Sequence, residues 1–284
     1  METWTVRSLL VWSREWLQKR GVTTARLDAE LLLAKALGCD RVRLYIDGDK
    51  PLGPEELAKF KPLLQRRGQR EPVAYILGTR EFYGRPFAVG PGVFIPRPET
   101  ELLVQLALEA LPEDARVLDL CAGSGAVGLS IAAERPLAQV DLVELSPEAA
   151  AFARTNAEQL AKGRAHVFEG DLFAALSAKA RYHAVVSNPP YVALADKARL
   201  EKELEHEPGL ALFCGDDGLA VIRRIAAEAP EWLLPGGLLA VEIDPQQARA
   251  VQDLFGSAGF LRVKVQNDLA GLARHVSGRL AEGG

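Results

Sequence analysis

Asn188-Pro189-Pro190-Tyr191 follows directly on the apolar run His183-Ala184-Val185-Val186-Ser187, so a carboxamide, two prolines and a phenol stand where a buried strand should end. Proline lacks a backbone N–H and disfavours helical geometry in the residue before it, so the chain must leave the strand extended and offer carbonyls without competing donors. A planar NH2 group has two protons to place. The Asn188 side-chain oxygen and the Pro189 carbonyl can accept one each, with Pro190 and Tyr191 closing the site and the Tyr191 ring covering the flat face of the group. The plainer alternative is a tight loop that only closes a strand. Composition weighs against it: Asn occurs at 156, 188 and 267 only and Met once in 284 residues, a bias shared with heat-adapted chains, so an Asn kept beside Pro points to chemistry.

A second motif decides what the amino group meets. Arg116-Val117-Leu118-Asp119-Leu120 reads as a strand that ends in Cys121-Ala122-Gly123-Ser124-Gly125-Ala126-Val127-Gly128 and opens a helical pattern from Val127 to Arg135. Glycines at such a turn let backbone approach a ligand and aim helix N-terminal N–H groups at it. The next strand, Gln139 to Glu144, finishes on a carboxylate able to bridge two ribose hydroxyls. Asp171 with Leu172 follows a third strand, Ala165 to Phe168, and could bond an adenine amino group. Gly123, Gly125 and Gly128 also fit a dinucleotide fingerprint, but Asp119 would repel a pyrophosphate and suits the amino group of a methionine moiety. Each carboxylate taken singly could be a cap or turn residue.

These motifs together resemble the release factor glutamine methyltransferase family (PrmC, also called HemK). The resemblance spans nearly the whole chain: Glu71-Pro72-Val73-Ala74-Tyr75-Ile76-Leu77-Gly78, Glu81-Phe82-Tyr83-Gly84, Val93-Phe94-Ile95-Pro96-Arg97-Pro98-Glu99-Thr100-Glu101, the glycine loop, Asn-Pro-Pro-Tyr, Glu207-Pro208 and Gly215-Asp216-Asp217-Gly218-Leu219. Asn-Pro-Pro-Tyr is shared with adenine amino methyltransferases, and the Ile95 to Glu101 segment is the specific signal. The resemblance implies a class I fold, a Rossmann-like, mostly parallel seven-stranded α/β sheet. It also implies S-adenosylmethionine as methyl donor (S-adenosylhomocysteine as product) and, as substrate, the Gly-Gly-Gln glutamine of class 1 peptide chain release factors. Carried onto this chain, the cofactor residues are Asp119, Cys121, Ala122, Gly123, Ser124, Gly125, Glu144, Asp171, Leu172 and Asn188. Phe94 and Tyr191 would pack on the glutamine, a core role being the alternative for Phe94. Two departures stand out: Cys121-Ala122 replaces the family's usual Gly-Thr, and Asp244-Pro245 replaces the glycine after the Glu-Ile of the fifth strand.

Residue physics by itself supports methyl transfer to an NH2 group and leaves glutamine and adenine both open. A nicotinamide oxidoreductase has no use for Asn-Pro-Pro-Tyr, and a binding module that keeps only the cofactor fold is the remaining alternative. A net charge of −4 and a pI near 5.7 oppose a long-lived nucleic-acid partner. Cys39, Cys121 and Cys214 are odd in number and widely spaced, and the histidines at 166, 183, 206 and 275 share no ligand spacing, which speaks against disulfides and a metal. No apolar run reaches membrane length, and Arg7, Arg14 and Glu15 break any signal peptide, so a cytoplasmic monomer is expected.

The elements that must position these groups follow from periodicity and punctuation. Val6, Leu9, Leu10 and Leu17 with the nearby tryptophans fit an amphipathic helix stopped by Gly21, Thr24 opens a second that ends at Gly38, and Pro54 to Arg67 places Leu57, Phe60 and Leu64 on one face. Residues 1–75 thus predict a helical bundle for substrate docking. Lys59, Lys61, Arg66, Arg67 and Arg70 form a basic cluster, expected as a solvated helix face or, failing that, a dock for an acidic partner. Residues 76–95 predict a β-hairpin linker, within Gly78 to Phe94, and residues 96–284 alternate strand and helix patterns as in a doubly wound methyltransferase domain. Gly237 to Ile243 supplies the fifth strand, and Phe260 to Gln266 with Leu272 to Ser277 an antiparallel closing pair.

Overall fold

The computed structural model describes residues 4–176, 180–194 and 202–282. Two compact units emerge, one from the described parts of residues 1–79 and 201–206, the other from 80–200 and 207–284.

The first unit is helical: α1 (Val6–Gln18), α2 (Ala25–Leu37), α3 (Arg41–Ile46), α4 (Pro54–Gly68) and α5 (Val73–Leu77). Its boundaries have local causes. Thr5 and Ser8 cap α1 reciprocally, Gly38 ends α2 at φ +65°, and Pro54 opens α4 where its missing N–H is not needed. Leu9, Leu17, Leu32, Leu33, Leu44, Phe60 and Leu64 are buried together. α3 and α5 were not expected from the sequence, because helices of one or two turns show no periodicity; the Asp40 cap, accepting from Arg43 N at 2.8 Å, was the only sign of α3.

The basic cluster is only in part the solvated face expected of it. Arg67 is buried, its Nε donating to Asp28 Oδ2 at 2.7 Å and its Nη2 to Glu203 Oε1 at 3.0 Å. Arg70 also donates to Glu203 Oε1 (2.8 Å) and Arg66 to Glu71 Oε2 (2.8 Å), which leaves Lys59 and Lys61 as the exposed members. These pairs explain why residues 202–206, distant in sequence, belong to the helical unit.

The second unit opens with a hairpin, β1 (Thr79–Phe82) and β2 (Arg85–Ala88), whose two-residue turn has Tyr83 at φ +50° and Gly84 at φ +69°. Tyr83 sits in that left-handed region without being glycine, and its N–H is held by Glu101 Oε1 at 2.9 Å. The main sheet then forms from β3 (Arg116–Leu120), β4 (Gln139–Glu144), β5 (Ala165–Glu169), β6 (Tyr182–Ser187), β7 (Leu233–Glu242), β8 (Phe260–Asn267) and β9 (Ala273–Leu280), in the order β5-β4-β3-β6-β7-β9-β8. β3 to β7 are mutually parallel and β9 runs antiparallel between β7 and β8. β7 starts at Leu233, earlier than the expected Gly237, because the chain pairs across an irregularity: Tyr182 opposes Leu233 and Ala184 already opposes Leu238. β9 likewise lies later than the expected Leu272 to Ser277.

Both faces of the sheet are covered. Val117, Val140, Leu142 and Val186 pack toward α6 (Glu101–Ala110), α7 (Ala126–Glu134) and α8 (Pro147–Leu160), while Leu118, Leu120, Val143 and Val185 pack toward α9 (Ala220–Glu228) and α10 (Ala248–Ser257). The period-2 alternation of β3 therefore divides two cores. From β3 the chain steps outward to β4 and β5, then returns to the other side of β3 as β6. This reversal opens a crevice at the C-terminal ends of β3 and β6, where open α/β sheets take ligands.

Candidate active site

Register brings the predicted groups to that edge. Leu120 is level with Val143 and with Ser187, and Glu144 with Glu169, so the glycine loop, Glu144, Asp171 and Asn188 all leave the sheet from one side. In the loop, Gly123 has φ +56° and Gly125 φ +79°; a Cβ on Gly123 would meet nothing within 4 Å, whereas one on Gly125 would reach Leu129 Cδ1 at 2.8 Å. Gly123 therefore faces open space at the mouth of the crevice, and Gly125 lets α7 start close against the sheet. Gly128 serves the same packing, since a Cβ there would collide with Leu142 and Val140.

The three carboxylates behave differently. Asp119 is buried, and its Oδ2 accepts from Gly128 N at 2.8 Å; burial pushes its pKa up to about 7. One of its oxygens is thus committed to α7. Glu144 accepts from Gly123 N through Oε2 and from Ser146 N through Oε1, both at 2.8 Å, and so braces the loop it was expected to share a ligand with. Asp171 is half-exposed and held by both terminal nitrogens of Arg224 at 3.0 Å. The adjoining Leu172 is buried at φ +47°.

Asn188 is half-buried at the end of β6 and Pro189 is buried behind it. The Asn188 Nδ2 donates to Thr100 Oγ1 at 3.2 Å, and Thr100 is itself buried. The hydroxyl holds the nitrogen end of the carboxamide, so the oxygen points away from Thr100. Tyr191 is fixed at both ends: its carbonyl accepts from Gln247 Nε2 at 3.0 Å, and its hydroxyl donates to Glu242 Oε1 at 3.3 Å. Phe94 is half-buried beneath the Arg97 guanidinium, 4.7 Å from the ring centroid. Arg97 is in turn paired with Glu207, whose Oε2 accepts from Ile95 N at 3.0 Å.

Residues 8–78 match the PrmC N-terminal domain family and residues 87–207 the Methyltransferase small domain family. The chain is 48% identical, over 98% of both chains, to a release factor glutamine methyltransferase of Geobacter sulfurreducens, and 39% identical to that of Deinococcus radiodurans over 98% of this chain and 99% of the relative. This chain belongs to the release factor glutamine methyltransferase family. Among solved structures, a methyltransferase from Pyrococcus furiosus superposes with a TM-score of 0.53 at 17% identity, covering 69% of this chain and 88% of that one. A T. thermophilus 16S rRNA N2 G1207 methyltransferase gives 0.53 at 22% identity over 71% and 49%. Both likenesses show the fold, a class I methyltransferase sheet.

The two departures from the glutamine methyltransferase pattern now have local accounts. Cys121 holds φ +56°, a conformation that glycine adopts without strain, so the backbone path of the loop is kept at a steric cost. Its thiol is pushed up in pKa by desolvation and by the Glu144 charge, which keeps it protonated. Asp244-Pro245 starts a reciprocal turn: Asp244 Oδ1 accepts from Gln246 N at 2.9 Å and Asp244 N donates to Gln247 Oε1 at 3.1 Å, aiming Gln247 at the Tyr191 carbonyl.

The Ile95 to Glu101 and Glu207-Pro208 segments carry the family resemblance, and their work becomes visible only in three dimensions. The structure joins them through Glu207 and gives Thr100 to Asn188. Asn156 was missed as well. It is buried and ties Ala88 to the glycine loop, donating to Ala88 O (3.1 Å) and Ser124 O (2.9 Å) and accepting from Ala88 N (2.7 Å). Its rarity as an Asn was the one available signal. Among the described residues no helix is long and apolar enough to cross a membrane and no cluster of His, Cys, Asp and Glu could hold a metal.

Proposed function

We propose that this chain transfers the methyl group of S-adenosylmethionine to the side-chain amide nitrogen of a glutamine in peptide chain release factors, the Gly-Gly-Gln glutamine by family resemblance. The observation that supports this most is the Asn188 carboxamide at the C-terminal end of β6, where Thr100 engages its nitrogen and not its oxygen. When bound, the cofactor supplies an electrophilic sulfonium methyl. The open space at Gly123 fits backbone contact with it, Glu144 supplies negative charge for its ribose hydroxyls, and Asp119, its pKa raised to about 7 by burial, ionises as the cofactor's ammonium comes beside it. Glu144 oxygens that each accept one backbone N–H keep a second lone-pair direction for a hydroxyl. Cys121, Ala122, Ser124 and Gly125 shape the loop around it; Asp171, steadied by Arg224, and Leu172 take the adenine end.

The acceptor nitrogen is a poor nucleophile because its lone pair is shared with the carbonyl; rotation barriers of roughly 18–20 kcal/mol measure that resonance. Holding it in line contributes on the order of 7–11 kcal/mol. The Asn188 oxygen and the Pro189 carbonyl accept from its two N–H groups, so the positive charge that develops as the methyl arrives meets acceptors already in place. No base is needed before transfer, and the alkylated nitrogen then gives its proton to water. Phe94 and Tyr191 cover the glutamine side chain.

The helical unit serves as a docking element for the protein substrate in this reading, and the acidic balance disfavours long nucleic acid. The test is methyl transfer from labelled cofactor to purified release factor and, in parallel, to DNA. Label in the release factor that disappears when the acceptor glutamine is replaced supports the reading. Label in DNA with none in the protein would overturn it in favour of an adenine methyltransferase.

A further inference from the structure

Glu242 is the last residue of β7, fully buried, and its cross-strand neighbour on β9 is His275, also fully buried. The Glu242 Oε2 has no hydrogen-bond partner, nor has either His275 ring nitrogen, and His275 Nε2 lies 3.5 Å from that oxygen. Three unpartnered polar atoms in one dry place carry a desolvation cost that an apolar pair of the same volume would not. Nothing in the sheet itself requires them: the β7–β9 ladder is made by backbone groups. The other Glu242 oxygen accepts from the hydroxyl of Tyr191, the residue three positions after Asn188.

We propose that Glu242 is a positioning residue of the methyl-transfer site, acting through the Tyr191 hydroxyl to hold and polarise the ring that covers the acceptor amide, with His275 as its proton-bearing partner. This rests on the function proposed above. A His275 tautomer with the proton on Nε2 presents that N–H to Oε2. A hydroxyl bonded to a carboxylate makes its ring richer in electrons, and a ring face attracts positive charge, which here develops on the acceptor nitrogen. Burial, then the Glu242 charge, pushes the Tyr191 pKa well up, so the hydroxyl remains a donor. The other charges near this group are Arg274, bonded to Asp268 at 3.1 Å, and Arg97, paired with Glu207; both oppose the rise at Tyr191.

The test is a double-mutant cycle of Tyr191→Phe and Glu242→Gln on the full chain, reading kcat with release factor and the cofactor dissociation constant. Each single change should lower kcat by about 3- to 10-fold, the scale of one ring–cation interaction, with cofactor binding unchanged. The double variant should lose no more than either alone, because Glu242 acts only through the hydroxyl. His275→Leu leaves Oε2 with no N–H facing it; its kcat should fall as in Glu242→Gln, and its combination with Tyr191→Phe should lose no more than Tyr191→Phe alone. Additive losses would overturn the inference, as would Glu242→Gln with normal kcat and a lowered Tm. Wild type that fails to methylate release factor would refute the function instead. The Tyr191–Glu242 bond then remains readable by ultraviolet resonance Raman of the tyrosine ring: the component absent from Tyr191→Phe must shift in Glu242→Gln, and an unmoved component refutes it.

Discussion

Gly218 is the position where one added methyl group should separate folding from chemistry. It lies in the Gly215 to Leu219 segment at φ +69°, and a Cβ built there would stand 2.2 Å from the Tyr191 carbonyl oxygen and 2.7 Å from Gln247 Nε2. The side chain of Gln247 can swing away; the Tyr191 backbone cannot without moving the ring. Gly218→Ala first incurs left-handed strain of about 1–2 kcal/mol. It must then either keep the overlap, at a further cost of about 1–3 kcal/mol, or displace the Tyr191 carbonyl. Reaching ordinary contact requires a shift of about 1 Å, and misplacement on that scale can cost about 10²-fold in rate. Gly215→Ala is the matched control, with φ +61° and its nearest neighbour, Ala220 Cβ, at an ordinary 3.6 Å. It should lose the strain energy alone. The assay pairs urea unfolding with single-turnover methyl transfer at saturating cofactor, where Gly218→Ala should lose one to two orders of magnitude in rate and Gly215→Ala almost none. Equal rates for the two variants, at equal stability, would refute the claim that Gly218 is there for the Tyr191 carbonyl.

Three further outcomes follow from the structure. Asn188→Ala should reduce kcat by roughly 10²–10³-fold without unfolding the chain, by analogy with loss of one oxyanion-hole donor. Thr100→Val, which removes only the hydroxyl that holds the Asn188 amide, should cost about one net hydrogen bond of 0.5–1.5 kcal/mol, or about 2- to 10-fold in kcat, with Thr100→Ser restoring it; indistinguishable Val and Ser variants would disprove the orienting role. Asp119 has its pKa raised from 3.8 to about 7 by burial, so the folded chain holds a proton there that the unfolded chain has released. Stability should therefore fall as pH rises through that window, by about 4 kcal/mol in all, and Asp119→Asn should flatten the slope. Unfolding series that keep the same pH slope in both proteins would show that Asp119 does not set it.

Much of the catalytic unit was legible in the chain because its signals are local. Strand-length apolar runs end in Gly123 and Gly125, in Glu144 and in Asn188, and a parallel sheet with right-handed crossovers brings successive strand ends to one edge. Prolines at 189 and 190 and glycines at 84 and 123 constrain backbone where they stand, so their reading needs no distant partner. The helix starts at Thr24 and Pro54 were readable for the same reason.

Tertiary structure decided what those groups touch. Thr100 meets Asn188 across 88 positions and Gln247 meets the Tyr191 carbonyl across 56, separations at which no sequence period operates. Arg67 looked like a member of a solvated basic stripe and became a buried partner of Asp28 and Glu203, because only the assembled helices show which side of α4 is covered. Asp119 and Glu144 were legible as carboxylates at strand ends, but their bonds to Gly128, Gly123 and Ser146 depend on how far α7 and the loop approach the sheet. Residue type and spacing determined the kind of chemistry; packing determined its orientation, since a hydrogen bond needs a few tenths of an ångström that only three-dimensional neighbours can fix.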